Sequence, residues 1–113
     1  MKNRYGTLYK TMRDGELFCV LLAIVEDMKL TIRRVDFQEW EMNHRDGTVE
    51  VIYSFDEENT SKLCELLMAN STSDFFKKLK SGFGFRTGHF GFVQNLLDFC
   101  KANNIEYNYS VWY

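Results

Sequence analysis

The run LFCVLLAIV, residues 17–25, decides how the rest of the chain is read. It is apolar at every position, so periodicity alone does not separate a helix from a buried strand. Three features favour the strand. The run is short. It carries Phe18, Val20, Ile24 and Val25, aromatic and β-branched residues that suit a pleated surface. It is also followed by a polar break, Glu26-Asp27-Met28-Lys29, and then by a second β-rich run, Leu30–Phe37. The expected unit is a hairpin. A strand apolar on both faces belongs in the interior of a sheet. The competing reading is a helix that would use Asp14 as its N-cap.

In the second strand, near residues 30–38, Leu30 and Ile32 share one face, and Val35 and Phe37 fall on the other. Arg33-Arg34 sits at the switch, where a β-bulge would restore the inward face. An extension through Trp40 to Met42 is compatible with the pattern. Residues 43–48, NHRDGT, read as a loop with Asp46-Gly47 as its turn. The third strand, near 48–55, alternates: Val49, Val51, Tyr53 and Phe55 point one way, and Glu50, Ile52 and Ser54 the other. On the N-terminal side, MKNRYGTLYKTMRDG is polar with a few aromatics and fits a short strand, a helix or an arm.

Helical signals follow. Asp56 is placed to cap a helix near 57–69, with acidic residues in the first turn, where the helix dipole favours them. Leu63, Leu66 and Leu67 form its apolar stripe. A short helix near 73–80 has Ser73 as cap and buries Phe75, Phe76 and Leu79. The clearest helix, near 89–102, carries Phe92, Val93, Leu96, Leu97, Phe99 and Cys100 on one stripe. Asn103-Asn104 is a left-handed stop. The tail, 105–113, alternates again and reads as a strand anchored in the sheet. The expected fold is α+β: an antiparallel sheet of about four strands, with two or three helices packed on one face.

Composition limits what such a domain does. The chain has 113 residues, enough for one domain with a modest core. There is no proline, so turns rest on Gly, Asn and Asp. With 14 basic and 16 acidic residues the formal charge is −2, unlike a generic nucleic-acid binder. Cys19, Cys64 and Cys100 are scattered through apolar runs and read as reduced thiols. The first ten residues lack the apolar core of a secretory signal, and nine apolar residues are too few to span a bilayer. The expectation is a soluble protein of the cytoplasm, or of a host cell's cytoplasm, with no membrane partner.

Ser81–Phe92, SGFGFRTGHFGF, is the stretch that most resembles a chemical site. Gly82, Gly84 and Gly88 are spaced G-x-G-x-x-x-G, one residue too long for the dinucleotide fingerprint. A helix precedes them instead of a strand. A helix–helix joint with phenylalanine packing feet explains the stretch better, leaving Arg86 and His89 without structural duty. His44 and His89 are the only histidines and show no metal-ligand spacing, so no metal and no cofactor is expected. No nucleophile elbow is present. Cys64 and Cys100 fall on buried stripes, and Glu57-Glu58 and Glu39/Glu41 read as solvated pairs, so an enzyme is not expected. Lys77, Lys78 and Lys80 beside the aromatic loop would suit a nucleic acid or small anion through residues 77–89, the alternative function.

The layout resembles small accessory proteins of bacteria and their phages: short, compact and motif-free. Aromatic residues make up 16 % of the chain, a surplus that suits protein interfaces. Trp40 and Trp112 leave the inward pattern of their strands and, with Tyr113, Arg86 and His89, are the candidate contact residues. The expected function is therefore protein–protein interaction, as an inhibitor or anti-defence factor of a phage or mobile element, or as an accessory subunit.

Overall fold

A computed structural model describes residues 1–13, 15–39, 46–84 and 88–112. Eight elements follow one another: β1 (Arg4–Arg13), β2 (Glu16–Glu26), β3 (Lys29–Glu39), β4 (Asp46–Ser54), α1 (Glu57–Leu66), α2 (Thr72–Phe83), α3 (Gly88–Ala102) and β5 (Asn108–Trp112). The strands form one antiparallel sheet in the order β1-β2-β3-β4-β5. The fold is α+β, as expected, with five strands where about four were foreseen. The added strand is β1, from the N-terminal segment whose pattern left strand, helix and arm open.

The decisive run is a strand. Glu26 pairs with Lys29 across a two-residue turn, with Asp27 at φ 51° and Met28 at φ 66°. Positive φ at both central positions matches the right-handed twist of a hairpin. Gly15 (φ 81°) lies in the β1–β2 connection, where a residue with no Cβ adopts this backbone at no steric cost.

Two details of the strands differ from expectation. The ladder between β2 and β3 runs without interruption past Arg33 and Arg34, so no bulge forms there. The inward row runs Leu30, Ile32, Arg34 and Asp36, and it turns polar at Arg34, whose Nε lies 3.3 Å from Asp36 Oδ2. The irregularities lie in the β1–β2 ladder instead: β1 carries an extra residue between Thr7 and Tyr9, and β2 carries one between Leu17 and Cys19, the partners of Met12 and Thr11. Asp46-Gly47 is also not the β3–β4 turn. Both residues are in β4, paired with Glu39 and Gln38, so the connection lies at residues 40–45, outside the described residues.

The helices pack on one face. Cys19, Leu21, Ala23 and Val25 of β2 point toward them, as do Val51 and Tyr53 of β4, with Phe55 just beyond the strand. Leu63 of α1, Phe75 and Leu79 of α2, and Phe92, Leu96 and Cys100 of α3 complete the core. Fully burying one such large side chain contributes about 1.5–3 kcal/mol. Gly6 brings β1 close to α2: a Cβ there would meet the Phe76 ring at 2.9 Å. Buried Thr60 of α1 is fully engaged, accepting from the Leu30 N–H at 2.9 Å and donating to the Phe55 carbonyl at 3.4 Å.

Helix ends obey local chemistry more closely than apolar periodicity suggests. Asp56 caps α1, accepting from the Asn59 N–H at 2.8 Å. The helix stops at Leu66, earlier than its apolar stripe implies. Met68 turns left-handed (φ 56°), with Met68 N–H bonded to the Glu65 carbonyl and Ala69 N–H to the Cys64 carbonyl. That paired pattern is the Schellman stop. Leu66, expected on the buried stripe, is 48 % exposed. In α2 the cap is Ser71 and not Ser73; its hydroxyl accepts from the Asp74 N–H at 3.1 Å. After α3, Asn104 takes φ 55° and Ile105 N–H closes on the Cys100 carbonyl, the stop read from Asn103-Asn104.

Candidate interaction surface

The second face of the sheet has no helix on it among the described residues. Its register is set by three rows. Tyr5, Ile24, Thr31, Ser54 and Asn108 lie side by side across the five strands. Thr7, Leu22, Arg33, Ile52 and Ser110 form the next row, and Lys10, Val20, Val35, Glu50 and Trp112 the third. An antiparallel sheet usually turns a polar face to water. Here Leu22, Val35 and Ile52 make a half-buried apolar band, and Val20 is buried without belonging to the helix-side core. Arg33 crosses the band to Glu50, its Nε and Nη2 both bonded to Glu50 Oε1. Both side chains are partly exposed, so the pair contributes at most about 1 kcal/mol. Trp112 stands at one side of the band, 62 % exposed.

Of the residues singled out from sequence, Trp112 is therefore on this face. Trp40, Arg86 and Tyr113 lie outside the described residues. The backbone of His89 is in the first turn of α3, and its side chain is outside what is described. Trp112 is the ladder partner of Glu50 and shares a row across the sheet with Val35 and Val20, none of which was a candidate. A signal for them existed: the run at 17–25 is apolar on both faces, and helices on one face of a sheet use only one of them.

The region at 77–89 is partly consumed by the fold. Helix α2 runs through Phe83, three residues beyond its expected end, and takes up Ser81, Gly82 and Phe83. Phe83 is buried, with its ring edge-on to Phe92 and Phe99 at centroid distances of 6.2 and 5.2 Å. It is a packing foot, as expected, and presents no stacking surface. A Cβ on Gly84 would lie 2.8 Å from the Phe92 ring, so this glycine permits the close joint. Lys78 is tied down, donating to the Met68 carbonyl at 2.6 Å and lying 3.4 Å from Asp74 Oδ2. Lys77 and Lys80 are exposed.

The chemistry of the remaining groups is quiet. Burial, with Asp36 alongside, pushes the Cys19 thiol up to about 12, and burial pushes Cys100 up to about 11. Burial also raises Cys64. All three thiols stay protonated at neutral pH, and a thiol is a poor nucleophile in that form. A cavity of about 400 Å³ is lined by Ser54, Asp56, Asn59, Glu106, Tyr107 and Asn108. Its polar groups hold the joint between β4, α1 and β5. Asn59 Oδ1 accepts from the Glu106 N–H, and its amide donates to Asp56. The Asn59 N–H and side chain hold Asp56 below the usual carboxylate range. Among the described residues, no three His, Cys, Asp or Glu side chains gather to hold a metal ion, and no helix is long and apolar enough to cross a membrane. A functional reading has to come from these surfaces, because the chain matches no family model, no curated protein and no solved structure.

Proposed function

We propose that this is a small non-enzymatic protein that works by docking another protein on the helix-free face of its sheet, as an inhibitor or accessory subunit would. One observation carries the reading: the half-buried apolar side chains Leu22, Val35 and Ile52, with exposed Trp112 beside them, lie on the face that the helices leave uncovered. Apolar side chains on an uncovered face, rimmed by polar ones, are a mark of interaction sites. Five strands about 4.8 Å apart and up to about 33 Å long make a face of about 600 Å². That approaches the ~800 Å² one partner contributes to a standard interface. The Arg33–Glu50 pair inside the band supplies polar specificity, and Trp112 is the residue type that most often anchors such contacts.

The test is affinity capture from the native cells, followed by rebinding of the purified partner. Ile52→Lys puts a charge in the band and should abolish rebinding. Trp112→Ala should weaken it by about thirtyfold or more, the scale of an interface anchor. Full binding by both variants, with loss in Lys80→Glu, would move the site to α2 and sink the proposal.

A further inference from the structure

We infer that β5 is the pairing edge of a two-fold dimer, in which the β5 strand of a second copy of this chain joins it antiparallel. This inference uses the edge of the sheet, not its open face, and does not depend on the docking reading.

A sheet with two edges has two templates for unwanted strand pairing, and folded proteins guard them with charge, bulges and twist. The two edges here differ. β1 carries Arg4, Lys10 and Arg13, and its own chain bulges by one residue between Thr7 and Tyr9. β5, NYSVW, has no charged residue and keeps an unbroken register with β4 over all five positions. It is also exposed on both sides. Trp112 stands on the open face. Tyr109, although on the helix-side face, is 61 % exposed. The Tyr53 ring packs on it at 5.5 Å, so the row of rings that leads out of the core ends at this edge.

The strand is complementary to itself. Two copies related by a two-fold axis through Ser110 set Tyr109 across from Val111 of the partner, twice, and Ser110 across from its own copy at the axis. Aromatic–β-branched pairs and hydroxyl pairs are favourable cross-strand partners. No like charges meet. The alternative, β5 against β1 of another copy, sets a regular strand against a bulged cationic one, and such a head-to-tail contact is not self-closing. The two-fold pairing closes at two copies. It yields a ten-stranded sheet with both helix layers on one side and both open faces on the other.

Sedimentation of the full chain from 1 to 100 µM tests this. The expected species at the upper end has twice the 13.4 kDa chain mass. Ser110→Lys sets two ammonium groups across the axis and should weaken the dimer by about tenfold or more, with circular dichroism unchanged. Ser110→Cys keeps the side-chain size and should give a covalent dimer on mild oxidation, because facing Cβ atoms lie about 4.5–5.5 Å apart, close to disulfide reach. It carries the test if the lysine variant misfolds. Ile52→Lys, on the open face, should leave the dimer intact. A species of one chain mass at 100 µM would overturn the inference, as would a Ser110→Cys protein that does not cross-link. A dimer lost in Ile52→Lys but kept in Ser110→Lys would assign self-association to the face and also overturn it.

Discussion

Leu21 and Leu22 are identical side chains at adjacent positions of β2, and the structure uses them differently. Leu21 is fully buried under the helices; Leu22 is half-buried on a face with no described cover. The same contrast separates Ala23 and Val25 from Ile24, while Val20 is buried although it lies on the open side. In β3 and β4 the open side turns partly polar, at Thr31, Arg33, Glu50 and Ser54, while the covered side stays apolar as far as Arg34. Hydrophobic residues on a strand are therefore not all accounted for by the core of their own chain. One face of β2 is needed to fold, and the other is surplus to the fold as described.

The largest effect should separate the two leucines. Leu21→Ala removes a fully packed side chain and should cost about 2–5 kcal/mol in urea unfolding of dilute protein, whereas Leu22→Ala should cost no more than about 1 kcal/mol. Equal losses would break the distinction between the faces. The second effect belongs to the covered face alone. The folded-state value for Cys19 is raised above 9.0, so its contribution is fully present below pH 9 and is lost as pH rises toward about 12. In that window the unfolded chain releases a proton that the folded chain retains, and stability falls by about 1.4 kcal/mol per pH unit for this thiol. Cys19→Ala should flatten the fall between pH 9 and 12 in unfolding curves; an unchanged slope would show that Cys19 is not the sensor. The smallest effect is on the open face. Glu50→Gln should cost less than about 1 kcal/mol, and most of that difference should vanish at about 1 M salt, because the Arg33–Glu50 pair is partly exposed. A larger, salt-insensitive loss would mean the open face is structurally as important as the covered one.

Much of the architecture was legible in the sequence because it rests on local rules. The Glu26–Lys29 break, the cap at Asp56, the stop at Asn104 and the stripe of α3 are each set by residues within a few positions of one another. The misreadings are of two kinds: helix ends a few residues off, at Ser71 and Leu66, and strand details decided by the neighbouring strands. Arg33-Arg34 looked like a place for a bulge because Val35 and Phe37 fall on the face opposite Leu30 and Ile32, but the ladder runs on, Val35 stays on the open face and Arg34 stays on the inward one beside Asp36. Asp46-Gly47 has the composition of a turn, yet pairing with Gln38 and Glu39 draws both residues into β4. β1 was obscured by its extra residue between Thr7 and Tyr9, which spoils strict alternation. Of the candidate surface only Trp112 was named beforehand. The apolar band could not be distinguished from core until it was known which side the helices cover.

The path between β4 and β5 has a consequence in time. Ser54 and Asn108 are ladder partners, yet three helices separate them along the chain, while β1 to β4 follow one another as a meander. Pairing neighbours that are close in sequence is fast, and non-local pairing waits until a longer loop closes. The four-stranded meander therefore has what it needs to assemble before β5 arrives. Within a single copy, a five-residue strand at an edge is also the cheapest piece of the sheet to release by local opening. In a single copy the last strand to zip would be the first to unzip, and pairing of two β5 strands would slow the clock on which this margin opens.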